Sequence, residues 1–261
     1  MTSFLETITA ARRDDALRRR EAGALESARA AASAAGPARD FAAALSAPGM
    51  SLIAEIKRAS PSAGAINAGV DPLALARAYE SAGASAISVL TEPEYFKGSL
   101  EDLRAVRGSV SIPVLRKDFL CDALHIWEAR AAGADAVLLI VAALSQAELV
   151  ALGDLAETLG MSTLVEVHDA EDMERARAAG ARIIGINTRD LATLEVDPSV
   201  VKALRPLAPD GALIVGESGI KTRDDVAVLE AIACDAILVG ETLMRAGDPS
   251  GAIAELLGRP V

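Results

Sequence analysis

The sequence predicts an α/β fold, a (βα)8 barrel of the TIM type with a helical N-terminal extension. Three observations predict it: an internal repeat, the alternation of apolar runs with helical segments, and the lack of a Gly-x-Gly-x-x-Gly turn after the first strand. "SAGASAISVL" begins at Ser81, "AAGADAVLLI" at Ala131, "AAGARIIGIN" at Ala178 and a weaker copy, "AIACDAILVG", at Ala231. Each copy reads as a helix end, a small-residue turn and a short strand. Separations of about fifty residues leave room for two βα units per interval, so four copies imply eight strands.

The N-terminal fifty residues differ in character. "FLETITAARRDDALRRREAGALESARAAASAA" reads as helix, and a second short helical piece follows Pro37 around Phe41 to Leu45. We assign residues 1–48 to an extension packing on the barrel, and 49–261 to the catalytic barrel. The basic cluster Arg18 to Arg20 reads as a solvated helix face. The strands between the repeats are "SLIAEIK" (51–57), "PVLRKDF" (113–119), "STLVEVH" (162–168) and "LIVGES" (213–218). Helical segments such as "DPLALARAYESAG" and "DAEDMERARAAG" lie between strands, with Pro or acidic residues in their first turns. Alternating strand and helix gives a parallel sheet with right-handed crossovers, and eight units close it without edges. An open doubly wound sheet is the alternative, but it lacks the glycine fingerprint.

Strands covered on both sides should be continuously apolar. Several of these are not. Period-two alternation puts Glu55 and Lys57 on one face of the first strand above Ile53. Lys117 shares a face with Leu115, Glu166 with Leu164 and Glu217 with Val215, while Asn187 ends the sixth strand in phase with Gly185. Burying isolated charges costs several kcal/mol each. The structural explanation is a closed ion network such as Glu55–Lys57–Glu217. The functional one is an active site at the C-terminal ends of the strands, where barrel enzymes carry their chemistry. Three carboxylates against two lysines leave the ring short of positive charge, which makes one Glu a candidate for a raised pKa.

A phosphate site is read at the last two strands. Ser218 and Gly219 stand at the exit of the seventh, and Gly240 and Glu241 at the eighth, opening a helix. Small residues there let backbone N–H groups approach a phosphate.

With 51% hydrophobic but 3% aromatic residues, the core must be built from Ala, Val, Leu and Ile. A formal charge of −11 argues against nucleic acid as a partner while leaving a small anion open. Cys121 and Cys234 make no metal pair, and there is no CxxC or HExxH, so no metal is expected. No apolar signal core and no run of about 18 apolar residues is present, so a cytoplasmic protein off the membrane is expected. A monomer is the expected state.

In this order, "AEIKRASPSAG" (54–64), "LTEPEYFKGSL" (90–100), "PVLRKDFL" (113–120), "LVEVHD" (164–169), "GINTRDL" (185–191), "GESGI" (216–220) and "LVGETLMR" (238–245) resemble the indole-3-glycerol phosphate synthase family. The sequence departs at Thr188, where the family often has Asn, and at Ala63, where Lys is common. The resemblance implies ring closure of a carboxyphenylamino-deoxyribulose phosphate with loss of carbon dioxide and then water, without metal or organic cofactor. It makes Lys117 the general acid and Lys57 the holder of the carboxylate and a second proton donor. Glu166 becomes the acid/base of the dehydration, supported by Glu55, while Asn187 and Glu217 orient hydroxyl and ammonium groups. Ser218, Gly219, Gly240 and the backbone of Glu241 would cradle the phosphate. Ser60 and Arg189 are further binding residues, and Phe96, Phe119 and Leu191 would wall the aromatic ring. His168 receives no role, and His125, Trp127 and Cys121 read as packing or surface residues. Phosphoribosylanthranilate isomerase and the tryptophan synthase α subunit, on the same barrel, would suit the phosphate glycines equally. They fit Glu55-x-Lys57 with Lys117 poorly. A non-catalytic scaffold would be expected to have lost one of these charges.

Overall fold

The computed structural model describes residues 3–62, 64–66, 69–190 and 193–259. Eight parallel strands form a closed barrel: β1 (Ser51–Ile56), β2 (Ala86–Leu90), β3 (Val114–Lys117), β4 (Ala136–Ile140), β5 (Ser162–Val167), β6 (Ile183–Asn187), β7 (Leu213–Glu217) and β8 (Ala236–Val239). Neighbours follow chain order, and β8 closes on β1 with Ser51 opposite Ala236 and Ala54 opposite Val239. A two-stranded hairpin, Ala59–Ser60 with Gly64–Ala65, sits just beyond β1.

Three helices precede the barrel: α1 (Phe4–Glu21), α2 (Ala24–Ser33) and α3 (Phe41–Leu45). The stretch that reads as one helix is two. Ala22 ends the first and Gly23, at φ 83°, turns the chain through left-handed backbone that a residue with a Cβ rarely adopts. The helices after β1 to β4 are α4 (Pro72–Ser81), α5 (Leu100–Ser109), α6 (Ala123–Ala131) and α7 (Gln146–Thr158). After β5 to β8 come α8 (Ala170–Ala178), α9 (Ser199–Leu204), α10 (Arg223–Ala231), α11 (Glu241–Arg245) and α12 (Pro249–Leu256). Of these, all but α9 and α11, which open on Pro198 and Gly240, start at a polar side-chain cap. Asp71 accepts from Leu73 N–H ahead of Pro72, Asp169 accepts from Asp172 N–H, and Thr222 with Asp225 forms a capping box.

Two apolar layers result from the period-two alternation. Leu52, Ile87, Val114, Val137, Val165, Ile184, Ile214 and Ile237 face outward onto the helices. Ile53, Ala86, Leu115, Leu138, Leu164, Val215 and Leu238 fill the interior. Leu115, Leu164 and Val215 are the residues in phase with Lys117, Glu166 and Glu217, so those charges continue the inward-facing rows.

The extension spans the barrel from end to end. Phe4 of α1 meets Phe119 and Tyr95 beyond the C-terminal ends of the strands, with ring centroids 6.2 and 5.1 Å away. Farther along, α2 packs on α6. At the opposite end Arg39 N–H donates to Asp135 at 2.7 Å, and Phe41 and Leu45 of α3 close the interior. Arg18 and Arg20 are exposed, with Arg20 reaching Asp122 of the loop after β3, while Arg19 is half-buried and pairs with Glu128 of α6. The reason is the packing of α1 and α2 against α6, which is invisible in the local charge pattern.

Candidate active site

The charged residues converge at the C-terminal mouth of the barrel. Lys117 Nζ lies 2.8 Å from Glu166 Oε2 and 2.6 Å from Glu217 Oε2. Lys57 Nζ lies 2.9 Å from Glu55 Oε1, and Ser88 Oγ donates to the other Glu55 oxygen at 3.5 Å. The three carboxylates are at most 4% exposed, so each is removed from water and held by a cation. Pairing therefore accounts for their burial in part. It does not complete it, because Glu217 Oε1 is buried without a hydrogen-bond partner.

Electrostatics separates the two carboxylates that share Lys117. Burial would raise Glu166, but Lys117 and then His168 outweigh it and hold the group well below the usual range. Burial dominates at Glu217, and Glu166 adds to it against the pull of Lys117, so its carboxyl is pushed up to about 7. Burial would lower the Lys117 ammonium; Glu166, Glu217 and Glu55 together raise it instead. The raised carboxyl expected from the charge count is Glu217.

Two glycines make room for this arrangement. A Cβ on Gly240 would collide with Glu55 Oε1, and one on Gly185 with Glu217 Oε1. At the exit of β7, Ser218 (φ 66°) and Gly219 (φ 74°) are both left-handed, and the Ser218 conformation costs about 1–3 kcal/mol for a residue with a side chain. Ser218 Oγ lies 2.7 Å from Asn187 Oδ1, which also accepts Arg189 N–H at 3.0 Å. Beside them opens a cavity of about 620 Å³ lined by Lys57, Arg189, Ser218, Gly219, Lys221, Gly240, Glu241, Thr242 and Arg245.

The structure thus brings together Glu55, Lys57, Lys117, Glu166, Asn187, Glu217 and Ser218, with Gly219, Gly240, Glu241 and Arg189 around the adjoining cavity. Phe96 and Phe119 stand 6.1 Å apart as a wall. Ser60 is on the hairpin beyond β1, in a smaller cleft with Arg58, Tyr95 and Lys97, outside the larger cavity. Leu191 and Ala63 lie outside the described residues.

Several supporting residues escape sequence reasoning. Glu92, 1% exposed, accepts the N–H groups of Glu94, Tyr95 and Phe96 at 2.7–3.0 Å and so fixes the loop that carries Phe96. Asp118, next to Lys117, accepts from Arg12, Arg116 and Thr91 at 2.9, 2.9 and 2.7 Å. Arg116 and Asp118 face the helix layer, where a charge was not expected. The signal was present in "RKD", but the partner Arg12 is 106 residues away. Lys221 and Arg245 add cations to the cavity, and nothing in their local sequence marks them. His168, read as outside the chemistry, has Nε2 3.3 Å from Glu166 Oε1.

The family model for indole-3-glycerol phosphate synthase matches residues 5–256. The chain belongs to that family. Its members include the indole-3-glycerol phosphate synthase of Mycobacterium avium, 51% identical over 98% of this chain and 94% of that protein. That of Mycobacteroides abscessus is 50% identical, and that of Mycobacterium tuberculosis strain H37Rv 49%, both at the same coverage. Membership makes the chain a decarboxylating lyase of tryptophan biosynthesis. Among solved structures, a 3-hexulose-6-phosphate synthase superposes with TM-score 0.65 at 20% identity, over 80% of this chain and 99% of that one. Thiamine phosphate pyrophosphorylase from Pyrococcus furiosus gives 0.60 at 18%, over 79% and 93%. Both show the barrel alone. Among the described residues no helix is long and apolar enough to cross a membrane, and no group of three or more His, Cys, Asp or Glu could hold a metal ion.

Proposed function

We propose that this site converts 1-(2-carboxyphenylamino)-1-deoxyribulose 5-phosphate to indole-3-glycerol phosphate, with release of carbon dioxide and water. The observation that carries the reading is the pair of half-buried lysines at one mouth, Lys57 held by Glu55 and Lys117 by Glu166 and Glu217, next to a cavity edged by turn backbone and further cations. A substrate with a phosphate at one end and a benzoate at the other needs positive charge at both.

Phosphate would enter at Ser218, Gly219, Gly240 and Glu241, where small residues expose backbone, with Arg189, Lys221 and Arg245 supplying charge. Lys57 then faces the carboxylate, and Phe96 and Phe119 flank the aromatic ring. Lys117 carries the first proton transfer: as the aromatic carbon attacks the sugar ketone, the ketone oxygen takes the Nζ proton. An ammonium surrounded by three carboxylates stays protonated at neutral pH and also stabilises the developing alkoxide. Loss of the carboxylate as carbon dioxide restores the electron pair to the ring. In the dehydration, Lys57, paired with Glu55, gives a proton to the departing hydroxyl, which leaves as water, and ionised Glu166 accepts the proton that the ring loses as its double bond forms. Asn187 and Glu217 orient the hydroxyl and amino groups.

The direct test is to add the synthetic substrate to the folded protein at neutral pH and follow indole fluorescence. Product formation is the expected result. No product, with phosphate binding intact, would remove the reading. A binding-only protein on this barrel would bind the anion and release no carbon dioxide.

A further inference from the structure

His168 lies one alternation beyond Glu166 at the end of β5, and two carboxylates flank its ring. Nε2 is 3.3 Å from Glu166 Oε1 and Nδ1 is 3.6 Å from Asp172 Oδ2 on α8. Asp172 is held in place because the same Oδ2 accepts the His168 backbone N–H at 3.1 Å. Both ring nitrogens are buried, and neither contact has hydrogen-bond geometry, so the attraction is one of charge rather than of a directed bond. A neutral imidazole carries one N–H and one lone pair. Set between two carboxylates, it would turn that lone pair on one of them.

We propose that His168 is held as an imidazolium between Glu166 and Asp172, and that it is a positioning residue that fixes Glu166 and keeps it ionised for the dehydration. The proposal rests on the role given above to Glu166. Lys117 takes one oxygen of that carboxylate and His168 the other, so neither oxygen is left to rotate toward solvent. The charged groups around the pair are few. Lys117 and, beyond it, Glu217 lie on the far side of Glu166, and Arg175 Nη1 is 3.9 Å from Asp172 Oδ1. The segment Val141–Ala143, packed on both β5 and α8, contributes no charged group. Burial would lower His168, but Asp172 and Glu166 outweigh it and raise it to about 10. The other histidine is its opposite. His125 is buried near Arg116 and Arg12 and pushed well below its usual value.

Nitrogen-15 NMR of the two imidazoles in the full chain tests the assignment without reference to turnover. At pH 8 one ring, identified by its loss in His168→Asn, should have both nitrogens protonated while the other is neutral. Its titration midpoint should fall by about one pH unit or more in Asp172→Asn and in Glu166→Gln. A neutral His168 ring at pH 7 in the unaltered protein overturns the proposal. Kinetics then tests the consequence. In His168→Asn the acidic limb of kcat should move upward by about one to three pH units, with KM changed less than about threefold. A limb that does not move overturns the positioning role, and Glu166→Gln with undiminished turnover overturns the reading of Glu166 itself. A charged His168 ring would survive that last result, so the two failures are distinguishable.

Discussion

Lys117 stands between Glu166 and Glu217, and the proton shared by these three groups decides what the site can do. Glu166 is held ionised while burial pushes Glu217 up to about 7, so two carboxyl groups on one ammonium differ in how tightly they hold a proton. Replacing Lys117 by Met removes the proton donor and leaves two buried carboxylates facing each other. Turnover should fall at least about 100-fold, the lower end of what a general acid contributes, while inorganic phosphate still binds. Steady-state rates and phosphate protection of the unfolding transition measure the two effects, and near-normal turnover would take the general-acid role from Lys117. Glu217 makes a separate prediction. The profile of kcat/KM against pH should carry an ionisation near 7 that disappears in Glu217→Gln. Its persistence in that variant would assign it to another group. These residues were legible because a charge in phase with an interior row has no ordinary reason to be there. Which carboxylate carries the raised pKa was not legible, since it depends on the His168 ring, two residues beyond Glu166, turning onto that carboxylate while one oxygen of Glu217 is buried without a partner.

At the scale of elements, the exits of β3 and β8 show how the scaffold holds the chemistry. The residues flanking Lys117 point the other way, into the helix layer, where Arg116 and Asp118 meet Arg12 of α1 and Thr91 beyond β2. The ammonium is thus braced from behind by an element outside the barrel repeat. Arg12→Ala removes one of the two cations on a fully buried carboxylate, and such a loss costs about 3 kcal/mol where the partner stays charged. Urea unfolding should register it, and turnover should fall as well because α1 also seats Phe4 against Phe119. An unfolding midpoint within error of the parent would mean that Arg116 alone satisfies Asp118. At β8 the relation is one of space. Gly240→Ala should leave the fold intact but displace Glu55 from Lys57, lowering kcat by about tenfold or more if that pair serves proton transfer. Unchanged kcat would show that Glu55 can move aside without consequence. Sequence reading found Gly240 for a different reason, as exposed backbone near a phosphate; its contact with Glu55 crosses the barrel closure between β8 and β1 and needs the registers to be known.

Across the whole molecule, the repeat made the barrel visible because every βα unit solves the same local problem. The path of the N-terminal extension was not visible, because it is set by single long-range pairs such as Arg12–Asp118 and Arg39–Asp135. The same buried charges also set how stability depends on pH. Asp118, drawn down to about 2 by Arg116 and Arg12 against its burial, contributes stability above its unfolded value of 3.8 and loses it as pH falls toward 2. Glu166 acts in the same sense, since its folded value also lies below the unfolded one. Glu217 and His168 act in the opposite sense because the folded protein binds their protons more tightly than the unfolded chain does. The Glu217 contribution is complete below 4.5 and is lost as pH rises toward 7; that of His168 is complete below 6.5 and is lost toward 10. Self-repulsion from the net charge of −11 adds to the loss on the alkaline side. Stability should therefore peak at mildly acidic pH, about 5 to 6, and decline on both flanks. In His168→Asn the decline between pH 6.5 and 10 should flatten, and the acid flank should become shallower because Glu166 gives up part of its lowering. Urea midpoints from pH 3 to 10 on both proteins measure this, and a parent maximum above pH 8 would mean that these two buried groups do not hold the protons assigned to them.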